Sequence, residues 1–278
     1  MTINCKGNLI DLSKPKVMGI LNVTPDSFFD GGKHNSNDLA LEKTEQMLNE
    51  GANFIDIGAY SSRPGATHIS EEEEINRLSV LREITKRFPE VLVSIDTFRS
   101  NVARFAVENG ACIVNDISAG NLDKEMFATV ADLQVPYIAM HMQGNPETMQ
   151  HNPTYTEQGV TVQVVKELSK VVSDLNILGV NDIILDPGFG FGKIVEDNYQ
   201  LLRELDHLNI LNCPILVGIS RKSMINKVLK INQKESLNGT TALHMKALEN
   251  GASILRVHDV KEATQAIQLH AAYHGEFN

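Results

Sequence analysis

The chain has 278 residues, a formal net charge of −10 at pH 7 and 42% hydrophobic residues. This composition is typical of a folded globular protein, and the acidic balance argues against a nucleic-acid binder, which usually carries a basic excess. No apolar run approaches the roughly 20 residues of a membrane span, and the first residues lack the charged-then-apolar pattern of a signal peptide.

Short apolar runs recur along the whole chain. Before the first of them, Thr2–Cys5 and Leu9–Leu12 alternate like the strands of a hairpin. The runs have the form of parallel strands covered on both faces. They predict strands at Val17–Val23, Phe54–Gly58, Leu92–Asp96, Ile113–Ile117, Tyr137–Met142, Ile183–Asp186, Ile215–Ser220 and Ile254–His258.

Helical patterns lie between these runs. Apolar residues fall at helical spacing in Val164–Leu175, Leu201–Leu208 and Ala263–His270. Ser70 followed by Glu71–Glu74 is typical of an N-cap with acidic residues in the first helical turn.

A weak internal repeat supports this alternation. Gly-Ala occurs just before the second, fourth and eighth strands, at 51–52, 110–111 and 251–252. In each copy the glycine fits the left-handed residue that ends a helix. Eight strands with following helices predict an α/β fold, the (β/α)₈ TIM barrel, as a single domain over residues 1–278. The hairpin of about residues 1–14 is predicted to close the bottom of this barrel. A doubly wound open sheet is the alternative.

Polar residues follow every predicted strand, at the end where barrels of this kind carry out their chemistry. They are Asn22, Asp56, Ser61, Ser62, Arg63, Asp96, Asn115, Asp116, His141, Asp186, Ser220, Arg221, Lys222, Arg256 and His258. Some have a structural explanation: Asp56 and Asp116 could cap loops or pair with a cation, and Arg221 could be solvated. A single histidine such as His141 is more often a hydrogen-bonded wall residue than a metal ligand.

Five charged residues are harder to explain structurally because they adjoin apolar runs, where an unpaired charge is costly. They are Asp96, Asp186, Lys222, Arg256 and His258. Carboxylates accept parallel hydrogen bonds from an amidine-like edge, and arginine and histidine suit phosphate oxygens. The set therefore predicts a ligand with a flat donor and acceptor edge and an anionic tail, in a mouth that is locally cationic.

The stretch from Asp186 to Lys193 reads DPGFGFGK, a carboxylate followed by alternating glycines. It matches neither a Walker phosphate loop nor GxGxxG, so a nucleotide site is disfavoured. It predicts the rim of a small-molecule pocket with Asp186 pointing inward.

Residues 22–32 and 59–66 are long loops with proline and glycine that could close over an apolar second substrate, or could be ordinary surface loops.

Three scattered cysteines without a CxxC motif favour reduced thiols and a cytoplasmic protein.

Seven motifs together resemble the dihydropteroate synthases of the pterin-binding barrel superfamily. They are GILNVTPDSFFDGG (19–32), SSRPGA (61–66), SIDT (94–97), VNDIS (114–118), DPGFGFGK (186–193), SRKS (220–223) and RVHD (256–259). The resemblance implies a transferase of folate synthesis, which joins 4-aminobenzoate to (7,8-dihydropterin-6-yl)methyl diphosphate and releases pyrophosphate. It also implies a dissociative mechanism, Mg²⁺ as cofactor, a homodimer through the late helices and competition by sulfonamides.

The resemblance also implies roles for individual residues. The catalytic set is Asp96, Lys222, Arg63 and Asp186. The pterin diphosphate would be held by Asn22, Ser62, Arg63, Asp96, Asn115, Met140, Asp186, Phe191, Gly218, Ser220, Lys222, Arg256 and His258, with Asn22 next to the metal. The 4-aminobenzoate pocket would consist of Phe28, Ser62, Pro64, Phe191, Ser220 and Lys222.

The chain departs from the family pattern in the second loop, which often reads Glu-Ser-Thr-Arg-Pro-Gly but here has Tyr60 and Ser62 in place of the acid and the threonine. Three alternatives stay open at this point. A pterin-dependent methyltransferase domain would reuse the Asp96, Asn115 and Asp186 cradle, and a non-catalytic protein would keep only the pterin slot. An unrelated aldolase-type barrel would use Lys222 as a Schiff-base amine.

Overall fold

A computed structural model describes residues 1–24, 33–61, 68–144 and 153–277. Within these ranges, the first two strands, β1 (Thr2–Cys5) and β2 (Asn8–Asp11), form a separate hairpin. Eight parallel strands form the barrel: β3 (Lys16–Asn22), β4 (Phe54–Gly58), β5 (Val93–Asp96), β6 (Ile113–Asp116), β7 (Tyr137–Met140), β8 (Ile183–Asp186), β9 (Leu216–Val217) and β10 (Ile254–Val257). They pair in the order β8-β7-β6-β5-β4-β3-β10-β9, and an isolated parallel bridge between Leu185 and Ile215 joins the two outermost strands and closes the barrel. The predicted TIM barrel is confirmed.

Most strands end one or more residues before the predicted ends. The largest difference is in the seventh barrel strand, predicted at Ile215–Ser220, whose paired part is only Leu216–Val217. Beyond it the chain turns, and Arg221 adopts a left-handed φ of 56°. The apolar run does contain the strand, but a run that extends into a loop looks the same in sequence as one that remains paired.

Helices surround the barrel. Within the described ranges they are α1 (Lys33–Asn49), α2 (Glu71–Arg77), α3 (Val80–Arg87), α4 (Ser100–Glu108), α5 (Met126–Leu133), α6 (Val160–Ile177), α7 (Val195–Arg203), α8 (Ser223–Leu229), α9 (Leu237–Glu249) and α10 (Val260–Tyr273), with 3₁₀ turns at Leu205–Leu211 and Gln233–Glu235. The N-cap at Ser70 is confirmed, since its Oγ accepts the Glu73 N–H at 3.2 Å. The helix predicted over Leu201–Leu208 is wrong in its second half, which is 3₁₀. None of the helices in this part of the chain is long and apolar enough to cross a membrane.

The predicted hairpin forms from β1 (Thr2–Cys5) and β2 (Asn8–Asp11), which pair antiparallel. Ile3, Cys5 and Leu12 are buried against the first inward-facing residues of the barrel strands. Those strand residues are Met18, Phe54, Ile113, Ile138, Ile184, Leu216 and Ile254. The hairpin therefore closes the bottom of the barrel, as predicted.

The period of two along a strand positions the site. Ile254 is in the bottom layer, so Arg256 on the same strand faces the same interior at a higher level, and His258 follows directly after the end of the strand. The alternate residues, such as Leu255 and Val257, pack outward in the core beneath the helices. The interior is thus apolar below and becomes polar toward the C-terminal mouth.

The glycine repeat has its predicted role. Gly51, Gly110 and Gly251 follow α1, α4 and α9 with φ of 100°, 103° and 94°. A side chain is strained at such angles, so glycine ends each helix and lets the next strand begin.

Candidate functional site

Arg256 bridges two carboxylates at the mouth of the barrel. Its Nε donates to Oδ2 of Asp56 at 2.6 Å, and its Nη2 donates to Oδ2 of Asp96 at 2.7 Å. Burial is the largest influence on the pKa of Asp96 and raises it to about 7, while Arg256 opposes that rise. Burial lowers the pKa of Arg256, but Asp56 and Asp96 outweigh it and the pKa lies above its ordinary value.

Asp56 is a member of the site that the sequence left as a loop cap or ion-pair partner. It is fully buried, and its Oδ2 also accepts from Asn115 Nδ2 at 3.0 Å. Among the described residues, its Oδ1 has no hydrogen-bond partner. An unpaired buried carboxylate oxygen marks a place where a polar ligand atom or water is needed.

Asp186 and Lys222 form the second part of the mouth. Asp186 Oδ1 accepts the Gly188 N–H at 2.7 Å, which fixes the carboxylate at the start of the glycine loop, here defined as residues 187–192. Burial raises the pKa of Asp186 and the nearby Lys222 lowers it, whereas burial lowers the pKa of Lys222 to about 8 against the attraction of Asp186. The two groups are therefore electrostatically linked.

The Lys222 ammonium rests on the glycine loop. Nζ donates to the carbonyl oxygen of Phe189 and lies 4.3 Å from the centroid of the Phe191 ring, a cation–π distance. A Cβ at Gly190 would lie 3.2 Å from Cδ of Lys222, so glycine is needed for this close approach. Phe191 in turn packs on the apolar cluster of Phe98, Ile117 and Met140.

Ser220 and His258 join the ends of β9 and β10. Ser220 Oγ lies 3.2 Å from Nδ1 of His258 and accepts the His258 backbone N–H at 3.2 Å. Burial, and then Arg256, lower the pKa of His258 to about 4, so the ring is neutral near pH 7.

Two smaller predicted members, Gly218 and Asn22, also face the mouth. A Cβ at Gly218 would lie 3.8 Å from Oδ2 of Asp186 and 4.0 Å from Cβ of Arg256, so Gly218 leaves open the space between these two side chains. A Cβ at Gly58 would lie 3.5 Å from Oδ2 of Asp96 and 3.7 Å from Oδ1 of Asn22. Asn22 and Asp96 therefore present oxygens to the same end of the barrel.

Asn22 is compatible with Mg²⁺, which prefers oxygen ligands and commonly uses one or two protein oxygens together with substrate phosphates. Among the described residues no group of three or more His, Cys, Asp or Glu forms a metal cage. The donors in this part of the chain thus suit a cation that arrives with a phosphorylated ligand.

Two strand-end residues have structural roles instead. Asp116 accepts from Tyr137 Oη at 2.7 Å and from the N–H groups of Ser118 and Gly120, so it caps its own loop. Arg221 is not a solvated cation: it binds Asp259 through two hydrogen bonds of 2.8 and 2.6 Å, with its side chain 25% exposed.

Four predicted residues, Phe28, Ser62, Arg63 and Pro64, lie outside the described residues. The start of the second loop is described up to Ser61, and Tyr60 replaces the acid of the family pattern. Tyr60 Oη lies 2.7 Å from Nδ1 of His68, and its ring meets Phe98 edge-on with centroids 5.0 Å apart.

Lys193, the last residue of the DPGFGFGK motif, was not among the predicted site residues. It is 5% exposed, and its Nζ contacts carbonyl oxygens of the glycine loop and the His141 ring. The expectation that His141 is a hydrogen-bonded wall residue agrees with this contact. A lysine is rarely fully buried, so sequence alone gave no reason to place Lys193 inside.

Comparison with known proteins identifies the family to which this barrel belongs. Residues 18–258 match the family model described as pterin binding enzyme. The chain is 43% identical over 272 residues to the dihydropteroate synthase of Escherichia coli K12, covering 97% of this chain and 95% of that one.

Solved structures agree. The Yersinia pestis dihydropteroate synthase, in a sulfonamide drug complex, superposes with a TM-score of 0.92 at 41% identity, covering 99% of this chain and 100% of that one. The Xanthomonas albilineans dihydropteroate synthase with 4-aminobenzoic acid gives a TM-score of 0.90 at 36% identity, covering 98% of each chain. The same enzyme with 7,8-dihydropteroate gives 0.88 at 34% identity, covering 99% of each.

Proposed function

The chain belongs to the pterin-binding enzymes and, within them, to the dihydropteroate synthases of folate biosynthesis, and we propose that the mouth around Arg256 carries out their reaction. The substrates are (7,8-dihydropterin-6-yl)methyl diphosphate and 4-aminobenzoate, and the products are 7,8-dihydropteroate and pyrophosphate. The observation that carries the assignment to this mouth is the convergence of Arg256, Asp96 and Asp56 at one end of the barrel, with Asp186 and Lys222 beside them.

The pterin lies in the polar layer of the barrel. Asp96, Asn115 and Asp186 bind its pyrimidine edge, since carboxylates pair with the parallel N–H groups of an amidine-like edge. Lys222 donates toward the pterin carbonyl, and Met140 with Gly218 shape the slot. Because Nη2 of Arg256 is bonded to Asp96 in the structure, the guanidinium has to move when the pterin binds, which brings it onto the face of the ring.

The leaving diphosphate is held by Arg63, Arg256 and His258. The bond between the methylene carbon and the diphosphate oxygen breaks first, and its electron pair leaves with the oxygen. Cationic and N–H donors stabilise that departing charge. In this arrangement the Ser220 hydroxyl donates to Nδ1 of the neutral His258 ring, and Nε2 carries the ring proton and donates a hydrogen bond to a phosphate oxygen.

The methylene cation is delocalised over the dihydropterin, and the Asp96 carboxylate stabilises it. The neutral aryl amine then attacks: its lone pair forms the C–N bond, and the ammonium so formed loses its proton to pyrophosphate or solvent. No side-chain nucleophile is needed for this sequence of steps.

The aminobenzoate ring is expected to contact Phe191 and the stem of Lys222, whose contact is already formed. Ser220, with Phe28, Ser62 and Pro64 from the two long loops, completes this pocket. Sulfonamides share the aryl amine and are expected to occupy the same pocket, as a sulfonamide drug complex exists for the Yersinia pestis synthase.

Mg²⁺ fits beside Asn22, whose amide oxygen would hold it together with diphosphate oxygens. It would neutralise charge on the leaving group.

The proposal also includes the oligomeric state of the protein and its location in the cell. Large apolar side chains are exposed on α8 and α10, among them Val228, Leu229, Leu269 and Tyr273, which suits a homodimer through the late helices. The three cysteines are free, as expected for a cytoplasmic enzyme, and the whole activity is assigned to one domain over residues 1–278.

Product analysis tests the assignment. With both substrates and Mg²⁺, the protein should form 7,8-dihydropteroate, seen by mass spectrometry, and Asp96→Asn should lower kcat/KM by about two orders of magnitude or more. The matched control is Asp132→Asn, at an exposed ion pair with Arg104 remote from the mouth, which should behave as the parent. Pterin binding without product would favour a methyltransferase or non-catalytic protein, and borohydride trapping of a carbonyl compound on Lys222 would favour an aldolase.

A further inference from the structure

Lys193 is a buried ammonium with several acceptors. Nζ lies 3.0 Å from the carbonyl oxygen of Gly188, 3.1 Å from that of Phe191 and 3.0 Å from Nδ1 of His141. A fourth oxygen, the His141 carbonyl, is 3.4 Å away. Three N–H groups thus meet two carbonyls of the glycine loop and one ring nitrogen, and none of these contacts belongs to the reaction described above.

The protonation of Lys193 and the tautomer of His141 are linked. When Lys193 is protonated, Nδ1 accepts from the ammonium and Nε2 carries the ring proton. Nε2 lies 3.1 Å from Oε2 of Glu167 on α6, although it is not aligned for a hydrogen bond. Lys193, His141 and Glu167 therefore form a chain of contacts, here called the brace, that runs from the glycine loop to the half-exposed carboxylate of Glu167.

The same loop supports Lys222 from its other side. The carbonyl of Phe189 accepts from Nζ of Lys222, and the Phe191 ring lies beneath it. The loop has no regular secondary structure, and Gly188, Gly190 and Gly192 have φ of 70°, 80° and 63°. Such a loop keeps one shape only if side chains bind its carbonyls and N–H groups.

Lys193 binds two of the loop carbonyls, those of Gly188 and Phe191. The Gly188 carbonyl also accepts the Phe191 N–H at 3.1 Å, and the Gly192 carbonyl accepts from Tyr155 Oη at 2.6 Å. Asn198 adds a second support, since its Oδ1 accepts the Gly190 N–H at 2.6 Å and its Nδ2 donates to the Lys193 carbonyl at 3.2 Å. Loss of the lysine would leave the carbonyls of Gly188 and Phe191 without this donor, while the Asp186 contact to the Gly188 N–H would persist. The part of the loop that would relax is the part that touches Lys222.

We propose that Lys193 is a positioning residue: with His141 and Glu167 it holds the glycine loop so that Phe189 and Phe191 place the Lys222 ammonium at the aminobenzoate side of the mouth. The inference deepens the proposed function and rests on it for its kinetic consequences. Lys222 contacts both substrates in the proposed function, but the pterin is also held by Asp96 and Asn115, whose hydrogen bonds among the described residues go to Arg256 and Asp56 and not to this loop. Loss of Lys193 should therefore weaken 4-aminobenzoate more than the pterin diphosphate.

Lys193→Met, which keeps the length of the side chain without its donors, is the first test. It should raise KM for 4-aminobenzoate about tenfold and lower kcat, while KM for the pterin diphosphate rises about threefold or less, because Asp96 and Asn115 still hold the pterin. Lys166→Met, at an exposed lysine of α6 next to Glu167, is the matched control and should leave all three constants unchanged. An equal rise in both KM values would indicate a general structural role and would overturn the proposal.

A pair of histidine variants separates the brace from simple packing. His141→Asn places an amide oxygen near the position of Nδ1 and should retain most of the parent's KM for 4-aminobenzoate. His141→Gln places its polar end near Nε2 and should behave like Lys193→Met. If both variants have the same constants, the hydrogen bond to Nδ1 does not matter and the proposal fails.

A second readout is independent of turnover. Labelling of Lys222 by an amine-acylating reagent, followed by mass spectrometry, should be several-fold faster in Lys193→Met and His141→Gln than in the parent, because the Phe189 carbonyl no longer holds the ammonium. Equal labelling would overturn the inference even if the chain proved inactive. Unchanged kinetics in these variants alongside an active parent would overturn it while leaving the proposed function intact.

Discussion

Nη2 of Arg256 lies 2.7 Å from Oδ2 of Asp96, so the strongest cation of the mouth is bonded to the carboxylate assigned to the pterin edge. The guanidinium also binds the fully buried Asp56. In the structure, Arg256 therefore neutralises both carboxylates that the ligand would otherwise face. In the proposed function, binding of the pterin replaces one of these partners and frees the guanidinium for the ring and the diphosphate.

Removal of this cation should destabilise the protein. Arg256→Leu leaves Asp56 buried without its cation, and breaking such a pair from one side is expected to lower the free energy of unfolding by about 3 kcal/mol. Urea unfolding monitored by circular dichroism measures it. The control is Arg104→Leu, which breaks an exposed pair with Asp132 and should cost less than about 1 kcal/mol. Equal losses in the two variants would mean that Asp56 does not depend on Arg256.

Two buried lysines should add to the stability of the protein as pH rises on the alkaline side. Burial lowers the pKa of Lys222 to about 8 and of Lys193 to about 7, from 10.5 in an exposed lysine. Between those folded values and 10.5 the unfolded chain binds more protons at these two residues, so their contribution to the free energy of unfolding increases as pH rises through this window. Lys222→Met should reduce the increase between pH 7.5 and 9.5 by about 1 to 2 kcal/mol. Urea unfolding at pH 7.5 and 9.5 measures this increase, and Lys166→Met is the control. If the increase is the same in Lys222→Met as in the parent, the burial of the Lys222 charge is contradicted.

The glycine loop should not tolerate a side chain at its first glycine. A Cβ at Gly188 would lie 1.8 Å from the His141 carbonyl oxygen, at a φ of 70°. Gly188→Ala should therefore lower the free energy of unfolding by about 3 kcal/mol or displace the loop and abolish turnover. Gly179→Ala is matched for positive φ, at 83°, but has nothing within 4 Å, and should cost about 1 kcal/mol without loss of activity. Similar behaviour of the two variants would show that the loop is not seated against His141.

Sulfonamides should compete with the aryl amine alone. Sulfanilamide is expected to raise the apparent KM for 4-aminobenzoate without changing kcat and without competing with the pterin diphosphate. Lys222→Ala should weaken sulfanilamide and 4-aminobenzoate by similar factors, because both would lie against the same lysine and Phe191. Steady-state inhibition kinetics measures the KM for 4-aminobenzoate and the inhibition constant of sulfanilamide. Noncompetitive inhibition would contradict a pocket shared by the two compounds.

The fold could be predicted in some detail because a TIM barrel repeats one local pattern. The period of two in Ile254 and Arg256, and the helix-ending glycines at 51, 110 and 251, are local signals that the structure keeps. Strand ends were less accurate, since an apolar run continues past the last paired residue where the chain turns. The leucines of Leu201–Leu208 have the same spacing in an α-helix and in a helix that tightens to 3₁₀.

The site could be predicted as a ring of residues but not as a network. Strand ends brought Asp96, Asp186 and Arg256 into one mouth, but no spacing reveals that Arg256 binds Asp56, 200 residues away in the chain. Lys193 was missed for another reason: its burial depends on carbonyls of a loop whose shape is set by tertiary contacts with His141.

Release of pyrophosphate from (7,8-dihydropterin-6-yl)methyl diphosphate with Mg²⁺, measured with and without 4-aminobenzoate, tests the central claim most directly. The account predicts release that depends on 4-aminobenzoate, matches dihydropteroate formed, and collapses in Asp96→Asn and Lys222→Ala. Release that persists in both variants, or tight pterin binding with no release, would contradict the assignment of the reaction to this mouth.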